Sequence, residues 1–522
     1  MNIHSLPDDP AALKALIVDM AADHQAQVVK LEQRLRLLNL IIYGPKSEKR
    51  PRTGQEQQLS LFDEAEQAVE EQKPQTFEEA CAPVSTRRKR GRRPIPADLP
   101  RVEIVHDVPE SEKGCPCGAE LVRIGEEVSE KLDIVPAKIQ VIRHIRPKYA
   151  CRACEGVEAH GPTVKTVPMP LQIIPQGIVT PGLLAHVAVA KYADALPLYR
   201  QEKQFARLGL DISRGTLAGW MIRVAKACDP LIDMIIAEIR SGPIVNMDET
   251  TVQVLRELDR TNTSKSYMWV ARGGTPGKPV VLFRYYPTRA GSVAAEILGD
   301  FKGYLQTDGY SGYEALGERE GLRHLGCMAH VRRKFVEVEK AGAKKGKGGT
   351  AHAALDLIGK LYDVERQAEK QKLKPEQIAA LRAEKSRPIL DKLKALLDAC
   401  IASTPPKSPL GKAIGYAIKQ WERLVVYLED GRLRPDNNLA ENAIRPFAVG
   451  RKNWLFSGHP RGANASAAIY SLMETAKANG LEPYRYLRYL FEHLPAATTD
   501  AQRMALLPQY IDPQSLIILP RP

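Results

Sequence analysis

The stretch Ile244-Val245-Asn246-Met247-Asp248-Glu249-Thr250, read together with Tyr304-Leu305-Gln306-Thr307-Asp308-Gly309-Tyr310, decides the fold. The first carries an aspartate inside an apolar run, and the second ends such a run on one. An aspartate inside an apolar strand is costly to bury unless a cation or hydrogen bonds compensate. Two of them at strand ends therefore point to a metal site. The competing reading, two ordinary surface turns, fits Asp248 poorly.

Strand texture surrounds both stretches: residues 244–255, 267–272 and 280–286, a helix near 292–298, then a strand at 304–307. Three strands, a helix and a fourth strand are the opening of a ribonuclease-H-like α/β core, in which neighbouring central strands set Asp248 and Asp308 side by side. A long, Lys-rich and mostly helical stretch, 331–430, separates them from Asp436-Asn437-Asn438-Leu439-Ala440-Glu441. Glu441 is expected on a helix packed against the sheet, as a third carboxylate ligand.

The chain has 522 residues, too many for one ordinary domain, and 75 Lys and Arg against 62 Asp and Glu give a net charge of +13. That balance favours a polyanionic partner. No apolar run approaches the roughly 18 residues of a spanning helix, and the start, MNIHSLPDDP, lacks a signal peptide's regions. A membrane is not an expected partner, and a cytoplasmic, nucleoid-associated protein is expected.

Residues Ile17, Ala21, His24, Val28, Leu31, Leu35, Leu38 and Ile42 form a heptad seam. It is read as a leucine-zipper-like coiled coil that makes the chain a homo-oligomer, the alternative being an amphipathic helix lying on its own protein. Residues 45–86 read as a linker that ends in a basic run, Arg87, Arg88, Lys89, Arg90, Arg92 and Arg93. The run is similar to an AT-hook with an extra arginine, and as a solvated tail it would bind DNA phosphate.

Eight cysteines in so long a chain are no disulfide scaffold, but Cys115, Cys117, Cys151 and Cys154 form two close pairs flanking strand-like stretches at 127–135 and 139–149. Such pairs at hairpin ends close one tetrahedral structural zinc site. The first pair is tighter than usual, which leaves His106 or His160 as substitute ligands. Helical segments at 183–193, 198–208 and 213–227 have a helix-turn-helix layout, with Ser213 as cap and Arg214 presented to DNA. A plain helical hairpin would read the same way.

The motifs Met247-Asp248-Glu249-Thr250, Thr307-Asp308-Gly309-Tyr310, Cys327 through His330, Arg332 and Arg333 to Phe335, and Asp436 through Glu441 to Arg451-Lys452-Asn453-Trp454 resemble those of transposases of the insertion-sequence sixty-six family. The resemblance spans nearly the whole chain. It implies an Asp-Asp-Glu triad of Asp248, Asp308 and Glu441 with a helical insertion in the core. Two Mg²⁺ (or Mn²⁺) ions about 4 Å apart would serve in-line displacement at phosphorus. The implied activity is cleavage at the ends of a mobile element and strand transfer of the freed 3′-hydroxyl into target DNA.

The expected organisation is multidomain α+β: a coiled coil (1–43), a linker with the basic run (44–100), a zinc-binding module (101–165), a helix-turn-helix region (175–240), a catalytic core (241–335 and 431–480) with a helical insertion (336–430), and a C-terminal segment (481–522). Double-stranded DNA is the expected partner, with companion proteins of the same element as a further candidate. Arg332, Arg333, Arg445, Arg451 and Lys452 are expected at phosphates. Arg445 lies one helical turn after Glu441, and Arg451 and Lys452 beyond a turn at Pro446. Cys327 and His330 are read as packing residues rather than a nucleophile–base pair or a second metal site. A hydrolysing ribonuclease-H-like nuclease and a transposase-derived DNA-binding regulator without catalysis are the alternatives.

Overall fold

The computed structural model describes residues 139–150, 164–341 and 349–516, together with isolated positions 9, 14, 24, 27 and 28. The four zinc-site cysteines, the basic run at 87–93 and nearly all of the heptad seam lie outside the described residues. The chain separates into two units, residues 63–167 and the remainder.

In the smaller unit, β1 (Lys148–Ala150) pairs antiparallel with β2 (Val164–Thr166). The strand expected over 139–149 is confined to that short end. Residues 139–147 have no regular structure and are exposed, and none of the described residues supplies a ladder for them.

From Pro168 onward, the larger unit first has four helices: α1 (Pro181–Tyr192), α2 (Leu198–Arg207), α3 (Arg214–Ala227) and α4 (Asp229–Ser241). Thr180 caps α1 through the Leu183 amide, and Ser213 caps α3 through the Thr216 amide. On α3, Leu217, Trp220, Met221 and Val224 turn inward, a helical spacing that buries one stripe. These helices do not form a core of their own. They share one hydrophobic core with the sheet that follows.

That sheet comprises β3 (Ile244–Val254), β4 (Lys265–Thr275), β5 (Lys278–Tyr286), β6 (Gly303–Gln306) and β7 (Leu322–Leu325), in the order β5-β4-β3-β6-β7. The first three strands are antiparallel neighbours, and β6 and β7 add in parallel. The crossover from β5 to β6 carries α5 (Gly291–Leu298). β3 is far longer than β6 and pairs with it only over Ile244–Asn246, so its later residues, Asp248 among them, run on past the end of β6.

After β7 come α6 (Met328–Ala341), α7 (Thr350–Lys370), α8 (Arg387–Ile401) and α9 (Pro409–Lys419), which build a second hydrophobic core with β7. The chain then returns to the sheet as α10 (Asn438–Trp454), and β8 (Phe456–Ser457) pairs with the end of β3. α10 passes through Pro446 without the turn expected there, so Arg451 and Lys452 lie in its last turn. An internal proline costs about 3 kcal/mol. Burial of Ala440, Ala443, Ile444 and Phe447 on one stripe against the core offsets it.

The last long helices are α11 (Pro460–Ala478) and α12 (Pro483–His493). α11 covers the outer edge of the sheet. Its Thr475 and Ser471 hydroxyls accept from the Val281 and Phe283 amides at 2.9 and 2.7 Å, in place of a missing strand. Among the described residues no helix is long and apolar enough to cross a membrane.

Candidate active site

The sheet sets the first two carboxylates. Asp248 sits where β3 has outrun β6, and Asp308 lies two residues after β6 ends. Each uses one oxygen locally: the Glu249 amide donates to Asp248 Oδ1 (2.8 Å), and the Tyr310 amide to Asp308 Oδ1 (2.9 Å). These bonds fix the carboxyl planes and leave Oδ2 of each for a ligand.

The third carboxylate arrives on α10, where Glu441 stands in the first turn and the helix dipole favours negative charge. A buried amide network decides where that turn lies. Asn437 donates from Nδ2 to the Met247 carbonyl at 2.8 Å and accepts at Oδ1 from Asn246 Nδ2 at 3.1 Å. Asn246 also donates to Gln306 Oε1 at 2.9 Å, and Gln306 Nε2 donates to the Arg434 carbonyl at 2.8 Å. Thus β3, β6 and the entry to α10 are tied together immediately beside Asp248.

The three carboxylates are near enough to act on one another electrostatically. Burial pushes Asp248 well above the usual carboxylate range, and the charges of Glu249, Glu441 and Asp308 push it further. Burial also raises Glu441, with Asp436 and Asp308 adding to the rise while Arg333 and Arg445 oppose it. Glu441 Oε1 is buried with no hydrogen-bond partner among the described residues. Buried carboxylates with raised pKa values and an orphaned oxygen are an environment that divalent cations relieve. The residues present fit hard metal ions.

Glu249 is not part of this set. It points to the other face, where it is bound by Tyr313 and Arg289, with Arg289 Nε at 2.6 Å from Oε1. The Arg289 guanidinium in turn lies 3.6 Å from the centre of the Tyr310 ring. Glu249 therefore braces the loop that follows Asp308.

Cys327 is buried, and its Sγ accepts from the Asn437 amide at 3.2 Å. Burial pushes its thiol up to about 12, which rules out a thiolate nucleophile at neutral pH. His330, three residues on, stands with Nδ1 3.6 Å from Glu441 Oε1, and burial lowers its pKa. One atom each of Cys327, His330 and Glu441 lies within 4.8 Å of the others. Sequence reasoning kept this pair apart from the acidic site because nothing local shows that α6 begins beside α10.

The helical insertion also reaches the site. The Tyr416 hydroxyl of α9 lies so close to Gly309 that a side chain there would obstruct it. Tyr362 of α7 stands near Asp436, which is buried just before α10.

Among the residues expected at DNA, Arg333 comes within 3.8 Å of Glu441 Oε2, and Arg445 is close enough to lower the Glu441 pKa. Arg332 is half-buried beside Tyr362. Arg451 donates to Thr251 Oγ1 at 2.9 Å and so binds α10 to β3. Lys452 and Arg214 are exposed.

Comparison with known proteins matches residues 176–465, which hold all three carboxylates, to the family described as "Transposase IS66 family". Residues 112–155, which hold the four paired cysteines, match "zinc-finger binding domain of transposase IS66". Residues 471–509 match "IS66 C-terminal element", and residues 30–104 match "Transposase C of IS166 homeodomain". Among curated proteins of Sinorhizobium fredii (strain NBRC 101917 / NGR234), "Uncharacterized protein y4qI" is 34% identical over 555 residues, covering 99% of each chain. "Uncharacterized protein y4jD" is 36% identical over 424 residues, 79% of this chain and 80% of that protein.

Proposed function

The chain belongs to the IS66 transposase family, and from that premise we propose that it cleaves DNA at the ends of a mobile element and transfers the freed 3′-hydroxyl into target DNA. What supports the reading is that Asp248 on β3, Asp308 after β6 and Glu441 on α10 are near enough to influence one another electrostatically, with Asp248 and Glu441 raised by burial. The strand order, three antiparallel strands followed by two parallel ones with a helical return to the sheet, supports a ribonuclease-H-like core.

Asp248, Asp308 and Glu441 would hold two Mg²⁺ or Mn²⁺ ions. Bound there, the ions supply charge neutralisation for the attacking and leaving oxygens at phosphorus. The chain's own part is placement. The amide network holds the entry to α10, Glu249 with Arg289 and Tyr313 holds the loop after Asp308, and Arg333 on α6 and Arg445 on α10 itself would meet an incoming phosphodiester. Because water and a 3′-hydroxyl act in turn at one phosphorus-binding site, no covalent link to protein is needed.

The paired cysteines would hold one structural zinc, and the N-terminal heptads would pair two chains. Arg214 on α3 and the arginines at 87–93 would add phosphate contacts on double-stranded DNA.

The test is incubation of the full chain with Mg²⁺ and duplexes carrying the DNA that flanks its own gene. New 3′-hydroxyl ends at one fixed position, and joined products, are expected. Products joined nowhere, with cutting alone, would favour a hydrolysing nuclease. Binding without cutting would favour a DNA-binding regulator.

A further inference from the structure

The structure points to a second anion site on the catalytic face of the sheet. Arg272 on β4 is directly opposite Asn246 on β3, and Val270 is opposite Asp248. Partners across an antiparallel pair project to the same face. The Arg272 side chain therefore leaves the face that bears Asp248, one pleat back, on the order of 7 Å along the strand. Beside it stands Arg434, in the segment whose carbonyl is held by Gln306.

These two arginines differ from their neighbours. Arg432 is paired with Asp430 and Arg382 with Glu365, each at 2.6 Å. Among the described residues, neither the Arg272 nor the Arg434 guanidinium has a salt bridge or a hydrogen bond. Burial and the adjacent Arg434 charge lower the Arg272 pKa, so the pair is disfavoured as it stands. Strand register fixes the backbone of Arg272, and the bond from Gln306 fixes the backbone at Arg434, so the two side chains start from neighbouring anchored positions.

Between them opens a cavity of about 170 Å³, lined by Asn246, Arg272, Gly274, Thr275, Gln306 and Arg434 among others. Drug-sized ligands occupy roughly 300–1,000 Å³. A phosphate group is smaller, tetrahedral and anionic, and two guanidinium forks match its oxygens.

We propose that Arg272 and Arg434 form a clamp for a DNA backbone phosphate. This rests on the transposase reading and adds to it a site that sets the register of the scissile strand.

The experiment compares wild type, Arg272→Ala, Arg434→Ala and Arg272→Lys as full chains, on the duplexes described above. Binding is measured from low to high salt, and cleavage position and thermal unfolding with and without inorganic phosphate are recorded. Each Ala variant should bind on the order of tenfold more weakly, lose about one unit of the slope of log affinity against log salt, and cut with relaxed position. Arg272→Lys should regain the slope but not the fixed position. Wild-type slopes and cut sites in folded Ala variants would overturn the clamp while leaving the transposase reading intact. Wild type that neither binds nor cuts would overturn both. Stabilisation by inorganic phosphate that Arg272→Ala removes, with DNA slopes unchanged, would assign the cavity to a free anion and also overturn the clamp.

Discussion

Asn437→Ala isolates the part of the account that places Glu441. In the structure the Asn437 side chain satisfies two buried groups, the Met247 carbonyl at 2.8 Å and Asn246 Nδ2 at 3.1 Å, and is itself 1% exposed. Truncation leaves both neighbours short of a partner. Each buried group so orphaned costs about 1–3 kcal/mol. Asn246 keeps its bond to Gln306, so the lower half of the summed range, about 2–4 kcal/mol, is expected. For domains of 150–250 residues about 2–4 °C of Tm is lost per kcal/mol, so a fall of at least about 4 °C should appear in a thermal scan. The functional effect should exceed the stability effect, because Glu441 lies one helical turn beyond Asn437 and loses its anchor to β3. Well below the Tm, single-turnover cleavage should drop on the order of 100-fold, since small misplacements of catalytic groups carry penalties of that size. DNA affinity should change little. A protein with the lower Tm but undiminished cleavage would refute the claim that this network positions the third carboxylate.

Asp248→Asn should unfold at a higher temperature than wild type at pH 7.5 in a chelator. The folded pKa of Asp248 is raised, so its ionised form costs stability above that pKa, and the gain should fade as pH falls towards the ordinary range near 4. Saturating Mg²⁺ should raise wild-type stability by about 2.7 kcal/mol at 100 times Kd and leave Asp248→Asn nearly unmoved. Equal Tm values for the two proteins in chelator would contradict the buried, repelled carboxylate. Freshly purified full chain should contain one zinc, and Cys151→Ser should lose it. Metal analysis finding none in the wild type would remove that site. Arg445→Ala should reduce the salt slope of DNA binding by about one unit, and an unchanged slope would return Arg445 to a purely structural partnership with Glu441.

The candidate acidic site stands out in the sequence because its chemistry contradicts its surroundings: Asp248 is a charge in an apolar strand, and Asp308 closes another. The strands of the central sheet and the three helices from Pro181 to Ala227 were legible from apolar period and caps. What escaped was set by distance along the chain. Asn246, Gln306 and Asn437 are individually ordinary amides, and their network joins residues as far as 191 positions apart. The Arg272 and Arg434 pair depends on the register of β3 with β4, which no local pattern specifies. Pro446 read as a stop because local propensity was weighed without the buried stripe that carries α10 through it. The expected strand over 139–149 follows composition, and among the described residues only its end, from Lys148, is paired.

The most direct test of the central claim is Mg²⁺-dependent cleavage and joining of the element-end duplex by Asp248→Asn, Asp308→Asn and Glu441→Gln, with DNA affinity measured on the same preparations. If the three carboxylates form one metal-binding catalytic site, each substitution abolishes both reactions while affinity stays near wild type, because basic residues elsewhere dominate binding. A Glu441→Gln protein that still cuts would contradict the account and move the third ligand elsewhere, with Asp436, buried five residues earlier, the first to be examined.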